Sequence, residues 1–117
     1  MALTKGRQAI TQLSSSGTSD TLDISGSYKT TLYIEHNNGS GTISAGASIL
    51  VQVRPDGASE WYDYVTIPGS TTSSDDQTWT VDLPDDAGDV QIIYTEPTDD
   101  GTEGQTLDAE VGKITAI

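Results

Sequence analysis

Residues 48–67 read SILVQVRPDGASEWYDYVTI, and this stretch decides the fold. In its first half, Ile and Val occupy every second position, which is the period of a β-strand with one buried face. The segment PDGAS follows, where Pro55 fixes φ and Gly57 tolerates a positive φ, so it predicts a turn. Residues 60–67 then return as a partner strand. The stretch therefore predicts a β-hairpin.

Aromatic residues open the return strand of this hairpin. On an ideal strand Trp61 and Asp63 share the core face, so we expect Trp61, like Trp79 further on, to anchor the core. Tyr62 and Tyr64 then share the opposite, exposed face. Such a pair can stack a sugar or fill a subunit interface, where Tyr is enriched. We favour the interface and take Tyr62 and Tyr64 as interface candidates.

The same alternation recurs along the chain between turn signals spaced about ten residues apart, which is typical of a sandwich or barrel of short strands. The expected strands are 7–13, 21–25, 28–36, 42–45, 48–54, 60–67, 78–83, 90–96 and 106–117. In the third of these, every second residue from Tyr28 to His36 is expected to share one side. Asn38-Gly39 predicts a tight hairpin turn. Gly112 predicts a break in register, with a bulge, in the last strand.

No segment of ten residues has a helical period, since β-branched residues and glycines interrupt each one. We therefore expect one all-β domain over residues 1–117. Its architecture is an antiparallel β-sandwich of jelly-roll or immunoglobulin-like topology, with seven to nine short strands and no substantial helix. A closed barrel is the alternative. Residues 1–8 are expected to form an extended N-terminal arm, in which Lys5 and Arg7 are further interface candidates.

The chain carries 5 basic and 18 acidic residues, a formal net charge of −13. This field repels phosphates and anionic lipids, so we expect no nucleic acid and no membrane partner. The absence of cysteine excludes disulfides, thiolate zinc sites and cysteine nucleophiles. The first residues contain no long apolar run, so we expect no signal peptide and synthesis in a cytoplasm.

Catalytic chemistry has little support in the sequence. His36 is the one histidine, at the end of a predicted strand, and no G-x-S-x-G elbow is present. The Asp-Asp pairs at 75–76, 85–86 and 99–100 lie in predicted turns, where Asp is favoured because it bonds to its own backbone. We expect no enzymatic activity. A small hydrolase using His36 or an acid pair is the open alternative.

Calcium is the one cofactor that the sequence suggests, and the expectation is that the protein has none. Ca²⁺ prefers six to eight oxygen ligands, and Asp99, Asp100 and Glu103 lie in one acidic, glycine-rich loop. Their spacing does not match the EF-hand loop. The alternative is a solvated loop.

The stretch 48–67 resembles a pattern of small β-sandwich virion proteins of tailed bacteriophages. The shared elements are an alternating Val and Ile strand, a turn with Asp56-Gly57, and Trp61 shortly after it. The resemblance implies a capsid decoration (cement) protein that binds the outer surface of a phage head and bridges capsomers. It further implies the major capsid protein as partner, a homo-oligomer (trimer or dimer), and a place on the capsid surface after synthesis in the host cytoplasm.

The expected function is therefore a structural virion protein of the decoration type. The alternatives are a carbohydrate-binding β-sandwich module, or another virion part such as a tail or fibre protein. A carbohydrate-binding module requires two or more exposed, coplanar aromatics, and here Tyr62→Ala or Tyr64→Ala is expected to remove the binding. A decoration protein requires open edge strands and large contact areas.

Overall fold

The computed structural model describes residues 3–99 and 104–116, and within them the chain forms β-strands and no helix. The strands are β1 (Leu3–Ala9), β2 (Gly17–Thr18), β3 (Leu22–Asp23), β4 (Lys29–Asn37), β5 (Ile43–Ala45), β6 (Ser48–Pro55), β7 (Tyr62–Pro68), β8 (Asp76–Asp82), β9 (Ala87–Thr95), β10 (Thr98–Asp99) and β11 (Thr106–Ala116). The all-β prediction is confirmed. The described strands number eleven rather than seven to nine, because two-residue strands form in segments expected to be loops.

Two antiparallel sheets make the sandwich. Sheet A has the strand order β1-β11-β4-β8, and sheet B has the order β2-β9-β6-β7, with β3 also paired to β9. The short strands β5 and β10 pair with each other in a separate two-stranded sheet. If β2 and β3 are taken as one interrupted strand and the short strands β5 and β10 are left out, eight strands remain, which can be numbered 1 to 8 along the chain. In that numbering sheet A has the order 1-8-3-6 and sheet B has the order 2-7-4-5. This is jelly-roll topology, one of the two predicted.

One hydrophobic core lies between the sheets, and it uses the alternate residues of each strand. In β4 the burial alternates over the whole strand, so that Leu32 and Ile34 are at most 2% exposed. The other large, fully buried apolar side chains come from three more strands: Ile49 and Val51 of β6, Val90, Ile92 and Tyr94 of β9, Leu107 and Val111 of β11. Burying each such side chain contributes roughly 1.5–3 kcal/mol. Trp79 packs against this core from its edge, as predicted.

The N-terminal segment is a strand rather than an extended arm. Residues 3–9 pair antiparallel with β11 along their whole length, from Leu3 opposite Ala116 to Ala9 opposite Glu110. The segment gains the ladder hydrogen bonds of a sheet, which an arm would lack. The first strand therefore begins before the predicted residue 7 and ends well before residue 13.

Three local predictions were wrong. Gly112 causes no bulge, because the register of β11 runs through it against both neighbouring strands. Asn38-Gly39 makes no hairpin turn, since the chain there leaves sheet A; the buried Asn38 amide instead donates to the carbonyl oxygens of Ser70 and Thr72. Tyr28 precedes β4 and is 70% exposed, so it does not share the buried side of that strand.

The hairpin at residues 48–67 forms as predicted, but a bulge changes its faces. β6 and β7 pair up to Val51 opposite Val65, and the next pair is Gln52 opposite Asp63, so Tyr64 is the extra residue. Asp63 is thereby moved to the outer face, where it accepts a hydrogen bond from the Gln52 amide. Beyond a bulge the inward and outward positions exchange, so the predicted division into a tryptophan face and a tyrosine face was wrong.

Trp61 does not anchor the core. It lies before β7, is only partly buried, and carries the Arg54 guanidinium 4.4 Å from the centre of its ring. Arg54 also donates two hydrogen bonds to one carboxylate oxygen of Asp89 on the neighbouring strand β9. Because Arg54 is an outward residue of sheet B, the indole covers the outer surface of that sheet.

Candidate functional site

The outer face of sheet A is built from the residues that alternate with the core positions. Cross-strand pairing places Glu110 of β11 beside Tyr33 of β4, and Tyr33 beside Thr80 of β8. Between the row of Glu35 and the row of Lys29, the face consists of Lys5, Arg7, Ala9, Asp108, Glu110, Gly112, Ile114, Lys29, Thr31, Tyr33, Glu35, Thr78, Thr80 and Asp82. Rows two residues apart along a strand are about 6.7 Å apart, so this face spans about 20 Å from Glu35 to Lys29.

Tyr33 occupies the middle of this face and is 47% exposed. Its ring lies over Gly112, where an added Cβ would come within 3.3 Å of Tyr33 Cε2. The Cβ of a larger residue at position 112 would require the ring to shift by a few tenths of an ångström, so the glycine lets the tyrosine lie close to the sheet. Shallow depressions of about 520 Å³ and about 600 Å³ open on its two sides, both lined by Tyr33.

The first depression, here the acidic depression, is lined by the side chains of Glu35, Asp108, Glu110, Thr78 and Thr80. Two of its carboxylates are held in place. The Gln12 amide donates to both oxygens of Asp108, at 3.0 and 3.2 Å, and Arg7 donates to Glu110. Glu35 accepts no hydrogen bond from the described part of the chain. The depression therefore offers fixed acceptors and threonine hydroxyls around one aromatic ring.

The second depression, here the basic depression, is lined by Lys5, Arg7, Lys29 and Lys113. These are four of the five basic residues of the chain. Lys113 lies opposite the buried Thr30, so its ammonium is on the side of sheet A that faces sheet B, where it donates to Gln8 Oε1 and to the Asp23 carbonyl oxygen. Lys5 and Lys29 thus lie at one end of the outer face of sheet A and Glu35 and Asp108 at the other, with Tyr33 between them. Two further carboxylates lie nearer the basic end: Glu110 lines both depressions, and Asp82 accepts a hydrogen bond from Thr31.

The predicted interface residues do not come together. Lys5 and Arg7 lie on β1, in the basic depression. Tyr62, which is 56% exposed, lies beside an apolar recess of about 270 Å³ at the end of β6. Tyr64 is 44% exposed, and its hydroxyl donates to the Asp82 carbonyl oxygen at 2.8 Å, which ties the edge of sheet B to the edge of sheet A.

His36 is a core residue. It is fully buried, and its Nε2 lies 2.7 Å from the hydroxyl of Tyr94, which joins β4 of one sheet to β9 of the other. Burial lowers the pKa of His36 and raises the pKa of Tyr94 to about 12. His36 Nδ1 has no hydrogen-bond partner in the described residues, and no serine hydroxyl bonds to the ring. His36 is thus buried away from any surface where a substrate could bind.

The acidic residues show no metal site in the part of the chain that the structure describes. No group of three or more His, Cys, Asp or Glu side chains converges there. The calcium candidates Asp100 and Glu103, and the side chain of Asp99, lie outside the described residues. Elsewhere, hydrogen bonds from Thr11 and Ser25 lower the pKa values of Asp20 and Asp23 respectively.

Among the described residues there is no helix long and apolar enough to cross a membrane.

Tyr33 was not among the site residues predicted from the sequence. Its outward position on β4 was predicted, together with Lys29, Thr31 and Glu35, but as one polar side of one strand. The alternation of β11 likewise indicates that Asp108 and Glu110 point away from the core. What joins them is the pairing of β4 with β11, and two strands some seventy residues apart along the chain give no local signal of this.

Comparison with known proteins concerns the fold. No protein-family model matches the chain, and no curated protein matches it. Among solved structures, a variant of a family 29 carbohydrate-binding module is 16% identical, with 92% of this chain and 70% of that chain covered and a TM-score of 0.48. A cleaved adhesin domain of Lys-gingipain from Porphyromonas gingivalis w83 is 11% identical, with 85% and 62% covered and a TM-score of 0.50.

A structure of Bacillus endospore appendages, described as disulfide-linked pili, is 12% identical, with 97% of this chain and 89% of that chain covered and a TM-score of 0.48. The present chain spans less than two thirds of the adhesin domain. At these identities the likeness concerns the fold and carries no assignment of function. The class that the structure defines is an antiparallel β-sandwich with jelly-roll topology and an uncovered, polarised outer sheet face.

Proposed function

We propose that the protein is a carbohydrate-binding β-sandwich module, and that it binds sugar on the outer face of sheet A. The observation that carries the proposal is the Tyr33 ring, held over Gly112 between two depressions of this face. Jelly rolls occur in lectin domains and in viral capsid proteins alike, so the fold by itself does not choose between the two candidate functions.

The chemistry of the acidic depression suits a sugar. A pyranose has an apolar face of C–H bonds, which packs on an aromatic ring, and a rim of hydroxyls, which need acceptors and donors. Tyr33 supplies the ring. Glu35 and Asp108 supply charged acceptors, which make stronger hydrogen bonds than neutral ones. Thr78 and Thr80 supply hydroxyls that both donate and accept.

Two features of the site favour binding over catalysis. The depressions are shallow and open along the sheet. Such a surface does not give two carboxyl groups the different surroundings that the acid and the base of a catalytic pair require. Asp108 and Glu110 are also engaged by Gln12 and Arg7, so they are fixed acceptors. The absence of enzymatic activity stays a prediction.

The test is glycan binding by the protein and by Tyr33→Ala, measured on a glycan array and then by calorimetry with the glycans that bind. Removal of the ring should weaken binding by about tenfold or more, since aromatic contacts contribute roughly 0.5–1.5 kcal/mol beyond their area burial. The matched control is Tyr62→Ala, which removes an equally large exposed aromatic from the other sheet. If Tyr33→Ala binds as the parent does, the proposed site is wrong.

The second candidate is the capsid decoration role. What supports it is β1, an edge strand of sheet A that pairs only with β11 among the described strands, so that its outer main-chain groups can pair with a strand of another chain. The major capsid protein, a trimeric or dimeric assembly and a place on the virion stay predictions. Sedimentation of the protein with purified phage heads tests them, and failure to co-sediment with any heads would count against this role.

A further inference from the structure

The basic depression has a composition that the rest of the protein lacks. In a chain of net charge −13, it is lined by four of the five basic residues, although the Lys113 ammonium lies on the other side of sheet A, and the fifth, Arg54, is paired with Asp89 on the opposite sheet. A solvated acidic surface needs no such concentration of cations. The cluster of cations in the basic depression therefore requires negative or polar partners, either within the protein or on a ligand.

The partners within the protein account for two of the four cations. Arg7 pairs with Glu110, and Lys113 donates to Gln8 and to the backbone near Asp23. Lys5 and Lys29 have no carboxylate within ion-pair distance among the side chains that the structure describes. Both are outward and exposed, and both lie opposite Ile114, one on each side of it. Two exposed lysines thus flank one apolar residue at the end of the face.

From this arrangement we infer that the glycan is acidic, and that its carboxylate or sulfate group binds between Lys5 and Lys29. The inference rests on the proposed function, because it uses the same face. A sugar on Tyr33 lies two rows, or about 13 Å, from Lys29 along β4. An oligosaccharide that packs on the ring can therefore place an acidic unit at the basic depression.

The opposite end of the face sets the charge pattern of the ligand. Glu35 and Asp108 repel a second acidic group and accept hydrogen bonds from neutral hydroxyls. A uniformly charged polymer such as a nucleic acid would bring anions against these carboxylates. The ligand is therefore a largely neutral oligosaccharide with an acidic unit at one end.

The test is binding of the whole chain to matched pairs of glycans, each pair alike except for one acidic group. Suitable pairs are sialyllactose and lactose, glucuronic-acid-substituted and unsubstituted xylo-oligosaccharides, and sulfated and unsulfated lactose, with the sulfated pair separating sulfate from carboxylate. We expect the acidic member to bind at least about tenfold more tightly, as a charge-assisted hydrogen bond allows. The double variant K5Q/K29Q should lose this preference and leave binding of the neutral member unchanged.

The control variant is Arg54→Gln, which changes the net charge by one unit on the other sheet and should keep the preference. Thermal unfolding of each variant confirms that it is folded. Equal binding of acidic and neutral members overturns this inference and leaves the proposed function standing. A lack of binding to every glycan overturns both. A preference that survives in K5Q/K29Q places the acidic group elsewhere and also overturns the inference.

Discussion

Acidification is expected to destabilise the fold through one buried side chain, His36. Burial disfavours the imidazolium, so the pKa of His36 in the folded protein is below its ordinary value of 6.5. The unfolded chain then binds more protons than the folded chain once the pH falls below 6.5. The contribution of His36 to the free energy of unfolding is therefore fully present above pH 6.5. It is lost progressively as the pH falls from 6.5 to the folded-state pKa.

The size of the effect follows from one proton. Each pH unit below the unfolded-state pKa removes at most about 1.4 kcal/mol from the free energy of unfolding. Between about pH 7.5 and about pH 5.5, the loss is thus at most about 1.4 kcal/mol, a noticeable part of a total stability near 5–15 kcal/mol. Asp20 and Asp23 do not interfere. Hydrogen bonds lower their pKa values, so their contribution is present above 3.8 and is lost only in more acidic solution.

Urea unfolding at the two pH values measures the difference, with the slope m checked for constancy. The control is His36→Gln, which keeps a polar group beside Tyr94 but cannot titrate. This variant is expected to be less stable than the parent at both pH values and nearly insensitive to the change. An equal pH dependence in the parent and in His36→Gln would refute the reasoning, because the proton uptake would then belong to another group.

Substitutions of two glycines, Gly46 and Gly57, are expected to lower the stability of the fold. In Gly46→Ala the new Cβ would lie 2.2 Å from the Gly69 carbonyl oxygen. Overpacking typically lowers the free energy of unfolding by ~1–3 kcal/mol, and urea unfolding of this variant should show a decrease at or above the upper end of that range. Gly17→Ala, which meets nothing within 4 Å, is the control and should cost far less. Gly57 has φ 79° and open space around it, so Gly57→Val should lower the free energy of unfolding by roughly 1–2 kcal/mol through backbone conformation alone. Unchanged thermal stability in Gly57→Val would contradict the turn assignment.

The parts of the fold that could be predicted are those that depend on period alone. β6 and β11 alternate so regularly that their buried residues follow from the sequence, and the turn at Gly57 follows from its composition. Period 2 is a local property, and one buried face per strand is enough to produce it. It says nothing about which strand lies beside which, so jelly-roll and immunoglobulin-like orders remained equally open.

The faces of β7 could not be predicted, because a single inserted residue exchanges them. Tyr64 is the unpaired residue of a bulge, and no glycine or proline marks the position. Trp61 was misplaced for a related reason. Its spacing from Val65 suits one face of an ideal strand, but β7 begins only at Tyr62. The indole is then free to cover Arg54, where a cation over an aromatic ring gains about 0.5–2 kcal/mol.

The candidate site was out of reach for the sequence because its charges come from separate parts of the chain. A net charge of −13 predicts that anions are repelled. At physiological ionic strength, however, charges are screened beyond about 8 Å. The field in the basic depression is therefore set by the groups that line it, above all Lys5 and Lys29. The pairing of β1 and β4 with β11 brings these two lysines to the same end of one face. The net charge of the chain therefore does not decide whether one acidic group can bind in contact with this face, and the strand order, which brings the two lysines together, does.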